Sequence, residues 1–76
     1  MMSQNEMIYD HLVNFGSITP MKAIEEYGCL RLAARISELR EGLKDSGYVI
    51  ETNMIKRKNR FGKDVSFAEY TLKKET

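Results

Sequence analysis

The sequence has few of the residues that covalent or metal-based chemistry requires. Its 76 residues include one cysteine, one proline, one histidine and no tryptophan. Because Cys29 stands alone, an intramolecular disulfide is excluded, and His11 has no second histidine or cysteine at metal-ligand spacing. Glycine-rich phosphate loops and paired-carboxylate motifs are also absent from the sequence. We therefore predict a protein that is not an enzyme and has no cofactor, in which His11 lies on the surface and Cys29 is a small buried residue.

Long apolar runs are missing too. No stretch approaches the ~20 consecutive apolar residues that cross a bilayer, and the first residues are polar and acidic, unlike a secretion signal. The sequence thus predicts a cytoplasmic protein with no membrane partner. Its hydrophobic fraction of 42% and charged fraction of 30% are near the globular average. The length suits one domain over residues 1–76.

Neither sign of charge is in large excess, because the formal net charge is only +1. Charge is nevertheless unevenly placed. Residues 1–28 contain four acids and one base, whereas residues 54–64 contain five bases and one acid. Since the distribution of charge decides which partners a surface attracts, the sequence indicates an acidic N-terminal part and a basic segment nearer the C-terminus.

Capping residues and apolar spacing predict three helices, over residues 4–14, 20–27 and 30–44. Ser3 and Glu6 have the spacing of a capping box, in which each side chain bonds the other residue's backbone N–H. Thr19 before Pro20 is a second start, because threonine caps well and proline at the first helical position loses no needed hydrogen bond. The third helix has one continuous apolar stripe, formed by Leu32, Ile36, Leu39 and Leu43.

A β-hairpin is predicted after the helices, over residues 48–72. Residues that favour strands follow Gly47 and recur from Val65 onward, and the segment between them, KRKNRFGKD, contains turn-forming residues. Alternation in the second strand places Tyr70 on the face that covers the helices. The predicted fold class is α+β: a three-helix helix-turn-helix core followed by a two-stranded β-hairpin wing with a mobile basic tip, which is the order of a winged helix.

In such a fold the third helix enters the major groove of DNA. The positions off the apolar stripe in its first two turns are predicted to face the bases, and they are Arg31, Ala34, Arg35, Ser37 and Glu38. Arginine suits this place because its planar fork donates two hydrogen bonds to guanine. The alternative interpretation is an ordinary solvated surface, in which Arg35 and Glu38 form an i, i+3 ion pair.

The basic segment is predicted to contact DNA phosphates, since clustered cations release condensed counterions on binding. Its bases are Lys56, Arg57, Lys58, Arg60 and Lys63. The alternative is that they only keep the protein soluble. Phe61 beside them is either an exposed wedge or stacking group, or it packs back on the base of the wing.

The stretch GSITPMKAIEEYGCLRLAARISELR, followed by GYVIET, resembles a family of small helix-turn-helix domains encoded mainly by bacteriophages and prophages. The resemblance covers most of the chain and implies a phage or prophage origin, a winged-helix fold and DNA binding. The matching residues are Ser17, Ile18, Thr19, Pro20, Ala23, Tyr27, Gly28, Cys29, Leu32, Ala33, Arg35, Ile36, Leu39, Arg40, Gly47, Tyr48 and Ile50.

Two functions remain open from the sequence. The first is a phage-type transcriptional or replication accessory factor that binds double-stranded DNA through the third helix and the wing. The second is a winged helix that binds and modulates a host or phage protein, for which the acidic first helices argue. A homodimer is also open, because one small winged helix makes few base contacts and commonly gains affinity by pairing on half-sites.

Overall fold

The computed structural model describes residues 1–75, so Thr76, the last residue of the predicted domain range, lies outside the described residues. Three helices are followed by a β-hairpin, which confirms the predicted α+β class and winged-helix order. The elements are α1 (Gln4–Phe15), β1 (Ser17–Ile18), α2 (Pro20–Tyr27), α3 (Leu32–Gly42), β2 (Tyr48–Lys58) and β3 (Asp64–Lys74).

The first two helices begin at side-chain caps. The Ser3 hydroxyl accepts from the Glu6 N–H at 3.1 Å, and the Glu6 carboxylate accepts from the Ser3 N–H at 3.0 Å, which completes the capping box. These bonds, the one to the Ser3 backbone first, lower the pKa of Glu6. The Thr19 hydroxyl accepts from the Lys22 N–H at 3.2 Å and caps α2 in the same way. Short local bonds therefore fix where both helices start.

The third helix is shorter at both ends than the predicted residues 30–44, because it spans Leu32–Gly42. At its start, Gly28 adopts a left-handed conformation with φ of 63° and turns the chain inward, so that Cys29 is buried as predicted. Leu30 is left in the turn, with its side chain 80% exposed. The turn of the helix-turn-helix thus extends further along the chain than the apolar pattern predicts.

At the other end of α3, a tight turn over residues 43–47 replaces the predicted last helical residues. Asp45 and Gly47 have positive φ values of 63° and 87°, which a continuing helix would not allow. Leu43 still packs against the core from this turn. The apolar stripe therefore predicted correctly that Leu43 packs against the core. It predicted wrongly that this residue lies within the helix.

The sheet has three strands, in the order β1-β3-β2. The predicted two-stranded hairpin is present as β2 and β3, and β1 is an additional strand that was not predicted. In β1, Ser17 pairs with Thr71 and Ile18 with Tyr70. Two residues are too short to show an alternating pattern, so the sequence gives no indication of this strand. The pairing covers one edge of β3 and ties the base of the wing to the segment between α1 and α2.

One buried cluster joins the helices to the base of the sheet. Its members are Ile8, Leu12, Ile18, Ala23, Cys29, Leu32, Ile36, Ile50 and Tyr70. Tyr70 is 9% exposed, with Ala68 and Leu72 packed beside the cluster, which confirms the predicted inward face of β3. The hairpin is therefore anchored at its base, near the helices.

His11 is also buried, with 6% exposure, and the prediction of a surface histidine is wrong. Its Nδ1 lies 2.6 Å from the Tyr27 hydroxyl oxygen, and its ring lies 4.7 Å from the ring of Phe15. Burial, followed by the carboxylates of Glu26 and Asp10, raises the pKa of Tyr27. The hydroxyl is therefore protonated at neutral pH and able to donate a hydrogen bond to His11. This bond gives the buried imidazole a polar partner in the interior.

Candidate nucleic-acid interface

The five predicted positions on the third helix do not form one equally exposed surface. Arg31, Ser37 and Glu38 are exposed, whereas Ala34 and Arg35 are half-buried. Arg31 lies just before the helix, at its N-cap, and makes no side-chain capping bond. Since the N-terminal residues of a recognition helix approach the base edges, Arg31 has the more accessible guanidinium of the two arginines.

Arg35 is held by the ion pair that the alternative interpretation predicts. Its Nη1 lies 3.2 Å from Oε1 of Glu38, and the two side chains are 29% and 52% exposed. Its Nε is buried and has no hydrogen-bond partner among residues 1–75. An i, i+3 pair of this exposure contributes only a few tenths of a kcal/mol. The pair orients Arg35, but it is too weak to prevent exchange for a stronger acceptor.

Leu30 is a surface residue that the sequence interpretation missed. It lies in the turn immediately before Arg31 and is 80% exposed. An apolar side chain at this point is able to contact a thymine methyl group in the major groove. The sequence did contain a signal for this exposure. Leu30 lies off the apolar stripe of Leu32 and Ile36, so no buried position was expected for its large side chain.

Arg40 connects α3 to the wing, a role that its sequence context did not indicate. Its Nε and Nη2 donate to the Ile50 carbonyl at 3.1 and 2.8 Å, and Nη2 also donates to the Thr52 hydroxyl at 2.7 Å. The guanidinium lies 5.9 Å from the centre of the Tyr70 ring, within cation–π range. Because Nε and Nη2 bond to β2, Arg40 fastens the base of the wing to α3.

The wing differs from the prediction in where its loop begins. Lys56, Arg57 and Lys58 lie in strand β2, and only residues 59–63 form the tip. Every residue from 56 to 66 is exposed, and we call this segment the wing arm. Strand geometry places Lys56 and Lys58 on one face and Arg57 on the other. The basic residues are therefore spaced along a projecting ribbon, with only two of them in its tip.

The cations of the wing arm differ in how they are paired. Lys58 Nζ lies 2.8 Å from Oδ1 of Asp64, directly across the hairpin. The other four cations of the arm are Lys56, Arg57, Arg60 and Lys63. They form no salt bridge with any residue in the described range 1–75. Positive charge on the arm thus comes mainly from these four residues.

Asn59 organises the tip. Its backbone exchanges bonds with the far side of the loop, since its N–H donates to the Lys63 carbonyl and its own carbonyl accepts from the Gly62 N–H, both at 2.9 Å. Its side-chain oxygen accepts from the N–H groups of Phe61 and Lys63 at 2.9 and 3.0 Å. Gly62 supplies the positive φ of 78° that closes the loop. Four short hydrogen bonds among residues 59–63 therefore define the turn of the tip.

Phe61 points away from the protein. Its side chain is 82% exposed, so the alternative in which it packs back on the base of the wing is wrong. Its neighbours Arg60 and Lys63 are exposed as well. The tip thus presents an aromatic ring between two cations.

The third helix of the helix-turn-helix is thus fastened to a projecting basic hairpin. The model of the winged helix-turn-helix domain family matches residues 3–75. The chain belongs to this family. Winged helix-turn-helix domains are typically non-enzymatic DNA-binding domains. No significant match was found among curated proteins or among solved structures.

Within residues 1–75, no helix of this winged helix-turn-helix domain is both long and apolar enough to cross a bilayer. Over the same range, no group of three or more histidine, cysteine or acidic side chains is arranged to hold a metal ion. The exposed basic residues lie along the wing arm and at the start of α3.

Proposed function

We propose that this protein binds double-stranded DNA, with the start of α3 in the major groove and the wing arm along the adjacent phosphates. The observation that carries the proposal is the wing arm, on which four unpaired cations project from a near-neutral protein. Phosphate contacts supply affinity and register, whereas contacts to base edges supply sequence preference. Contacts to bases are assigned to Arg31, Ala34, Arg35, Ser37 and Glu38. Contacts to phosphates are assigned to Lys56, Arg57, Arg60 and Lys63, and Lys58 joins them only after it leaves Asp64.

Within this assignment Arg31 is the main contact to a guanine, because its side chain is exposed and unpaired at the start of the helix. Arg35 contributes after exchanging Glu38 for a base or a phosphate. Glu38, once released, is able to accept a hydrogen bond from the amino group of cytosine. A role as a phage transcriptional or replication accessory factor is the form of this function that the sequence resemblance favours.

The decisive experiment selects bound duplexes from a random DNA pool and then measures affinity over a salt series. If each of the four unpaired cations contacts one phosphate, log K falls with log salt with a slope of about −3 to −4. Arg31→Ala should weaken binding to the selected site by about 1–3 kcal/mol and relax its preference at one base pair. Lys44→Ala is the control, since it removes one exposed positive charge away from the start of α3.

Absence of binding to every duplex at low salt would reject the proposal. The same titration gives the stoichiometry, and a homodimer predicts two half-sites about one helical turn apart. Unchanged base preference in Arg31→Ala would reject the assignment of that residue while leaving DNA binding intact.

A protein partner is the second candidate, and one surface favours it. An open groove of about 460 Å³ lies along α1 and against Leu39 of α3, with Met2, Tyr9 and Val13 exposed in its wall. Glu6 and Asp10 border it. An apolar groove with an acidic edge suits a partner segment with apolar and basic residues. This candidate predicts that Val13→Asp abolishes partner binding, whereas substitutions in the wing arm do not.

A further inference from the structure

We infer that Phe61 inserts between base pairs from the minor groove, next to the major-groove site of α3, and that it unstacks and bends the duplex there. This inference rests on the proposed DNA binding and adds a specific contact to it. Proteins that bend DNA from the minor groove commonly insert an apolar side chain between base steps. Three observations of the tip support the assignment to Phe61.

The first observation is the setting of the exposed ring. Single exposed apolar residues are common and need no explanation by themselves. Phe61, however, stands at the end of a segment in which every residue from 56 to 66 is exposed, with Arg60 and Lys63 on either side of the tip. Cations at both sides of an apolar ring would bind the phosphates that border a groove while the ring enters it. The charge of the tip thus favours a nucleic acid over an apolar protein pocket.

The second observation is that the turn of the tip is closed by hydrogen bonds of its own in the free protein. The Asn59 side chain accepts from the backbone N–H groups of Phe61 and Lys63. A ring carried by a preformed turn loses little conformational freedom on binding, and this preorganisation increases affinity. Gly62 has no side chain beyond Phe61, so nothing on that side widens the tip as it enters a narrow groove.

The third observation is reach. Arg40 holds β2 to α3 at Thr52, and the residues from 53 to 58 remain in strand. At ~3.3 Å per strand residue they extend the hairpin by about 20 Å beyond that point. The major and minor grooves on one side of DNA are half a helical repeat apart, about 17 Å. The arm is therefore long enough to place its tip in the minor groove beside the site of α3.

The test uses the full chain and the duplex selected in the pool experiment, with the fluorescent analogue 2-aminopurine replacing each adenine of either strand in turn. We expect a rise in fluorescence at one step on the minor-groove side of the site, together with a bend measured by energy transfer between the duplex ends. Phe61→Ala should lose both signals and bind roughly 5- to 50-fold more weakly. Its salt slope should stay unchanged, because no phosphate contact is removed.

Val65→Ala is the matched control, because Val65 is an apolar residue of the same arm, is 41% exposed and lies outside the tip. It should keep the fluorescence rise and the bend. Phe61→Leu should keep part of both, since leucine is also a wedge. Circular dichroism of Phe61→Ala checks that its fold is intact.

Each outcome decides between the two proposals. If the parent protein binds the duplex without a fluorescence rise, or if Phe61→Ala gives the same rise and bend as the parent, the insertion is refuted and DNA binding stands. If the single strand of the same sequence binds as tightly as the duplex and this binding weakens in Phe61→Ala, Phe61 is a stacking group for single strands and the inference is again refuted. If the parent binds no DNA, both proposals fail.

Discussion

The start of α3 and the wing arm both present positive charge, but the protein supports them in different ways. Helix α3 lies on the core through Leu32 and Ile36, which are 3% and 0% exposed. The wing arm has no buried residue between positions 56 and 66 and keeps its shape through backbone pairing and the bonds of Asn59. Position is therefore set by packing in one region and by hydrogen bonds in the other. Mutations in the packing beneath α3 should therefore lower stability, whereas mutations in the wing arm should change DNA binding with little effect on stability.

The largest expected effect follows from removing core packing beneath α3. Ile36→Ala leaves a cavity at a fully buried site and should lower the free energy of unfolding by about 2–5 kcal/mol. Val65→Ala in the wing arm should change it by less than about 0.5 kcal/mol, since Val65 is 41% exposed. Urea unfolding followed by circular dichroism measures both. A loss of similar size in the two variants would show that the arm is part of the cooperative core.

Features that depend on local contacts could be predicted from the sequence, whereas those that depend on packing between elements could not. Ser3 with Glu6 and Thr19 with Pro20 are local patterns whose bonds form within three residues, and the structure contains them. The partner of His11 is Tyr27, sixteen residues away, and the partners of Arg40 are Ile50 and Thr52 on another element. Such contacts depend on how the elements pack, and an individual side chain does not reveal them.

The candidate site shows the same limit. The basic residues of the wing were evident from the sequence, because charge does not depend on the fold. Their division into paired Lys58 and four unpaired neighbours depends on the register of the hairpin, which places Lys58 opposite Asp64. The exposure of Leu30 depends on where α3 begins, and the capping residues that located the other two helices have no counterpart at Arg31.

An intermediate effect is expected at the connection between the two regions. Arg40→Ala removes three hydrogen bonds between α3 and β2 and should lower the free energy of unfolding by about 1–3 kcal/mol. DNA affinity should fall as well, although Arg40 contacts no DNA in our proposal, because the arm is no longer held at one angle to α3. Lys44→Ala, a surface change at an exposed pair, is the control for both measurements. A stable variant with full affinity would show that the arm finds its position without this connection.

The smallest effects concern single charges within the wing arm, where the free energy of unfolding should hardly change. Lys56→Gln removes an unpaired cation and should reduce the steepness of the salt dependence by about 0.9 in log K per log salt. Asp64→Asn releases Lys58 from its 2.8 Å salt bridge and should tighten binding several-fold at low salt. The released lysine then becomes a fifth unpaired cation of the arm. Stability hardly changes, because an exposed pair of this kind contributes only about 0–1 kcal/mol.

The double variant Lys58→Gln with Asp64→Asn isolates the role of pairing, because it leaves the net charge of the arm unchanged. If the Lys58–Asp64 pair does not contribute to DNA binding, this variant should bind DNA with the parent's affinity and salt slope. Lys56→Gln should show a lower affinity and a shallower slope. Fluorescence anisotropy from 50 to 200 mM salt, a range over which phosphate contacts change affinity strongly, separates the two results. Equal losses in both variants would show that the register of the hairpin does not decide which cations meet the DNA, and that Lys58 leaves Asp64 on binding.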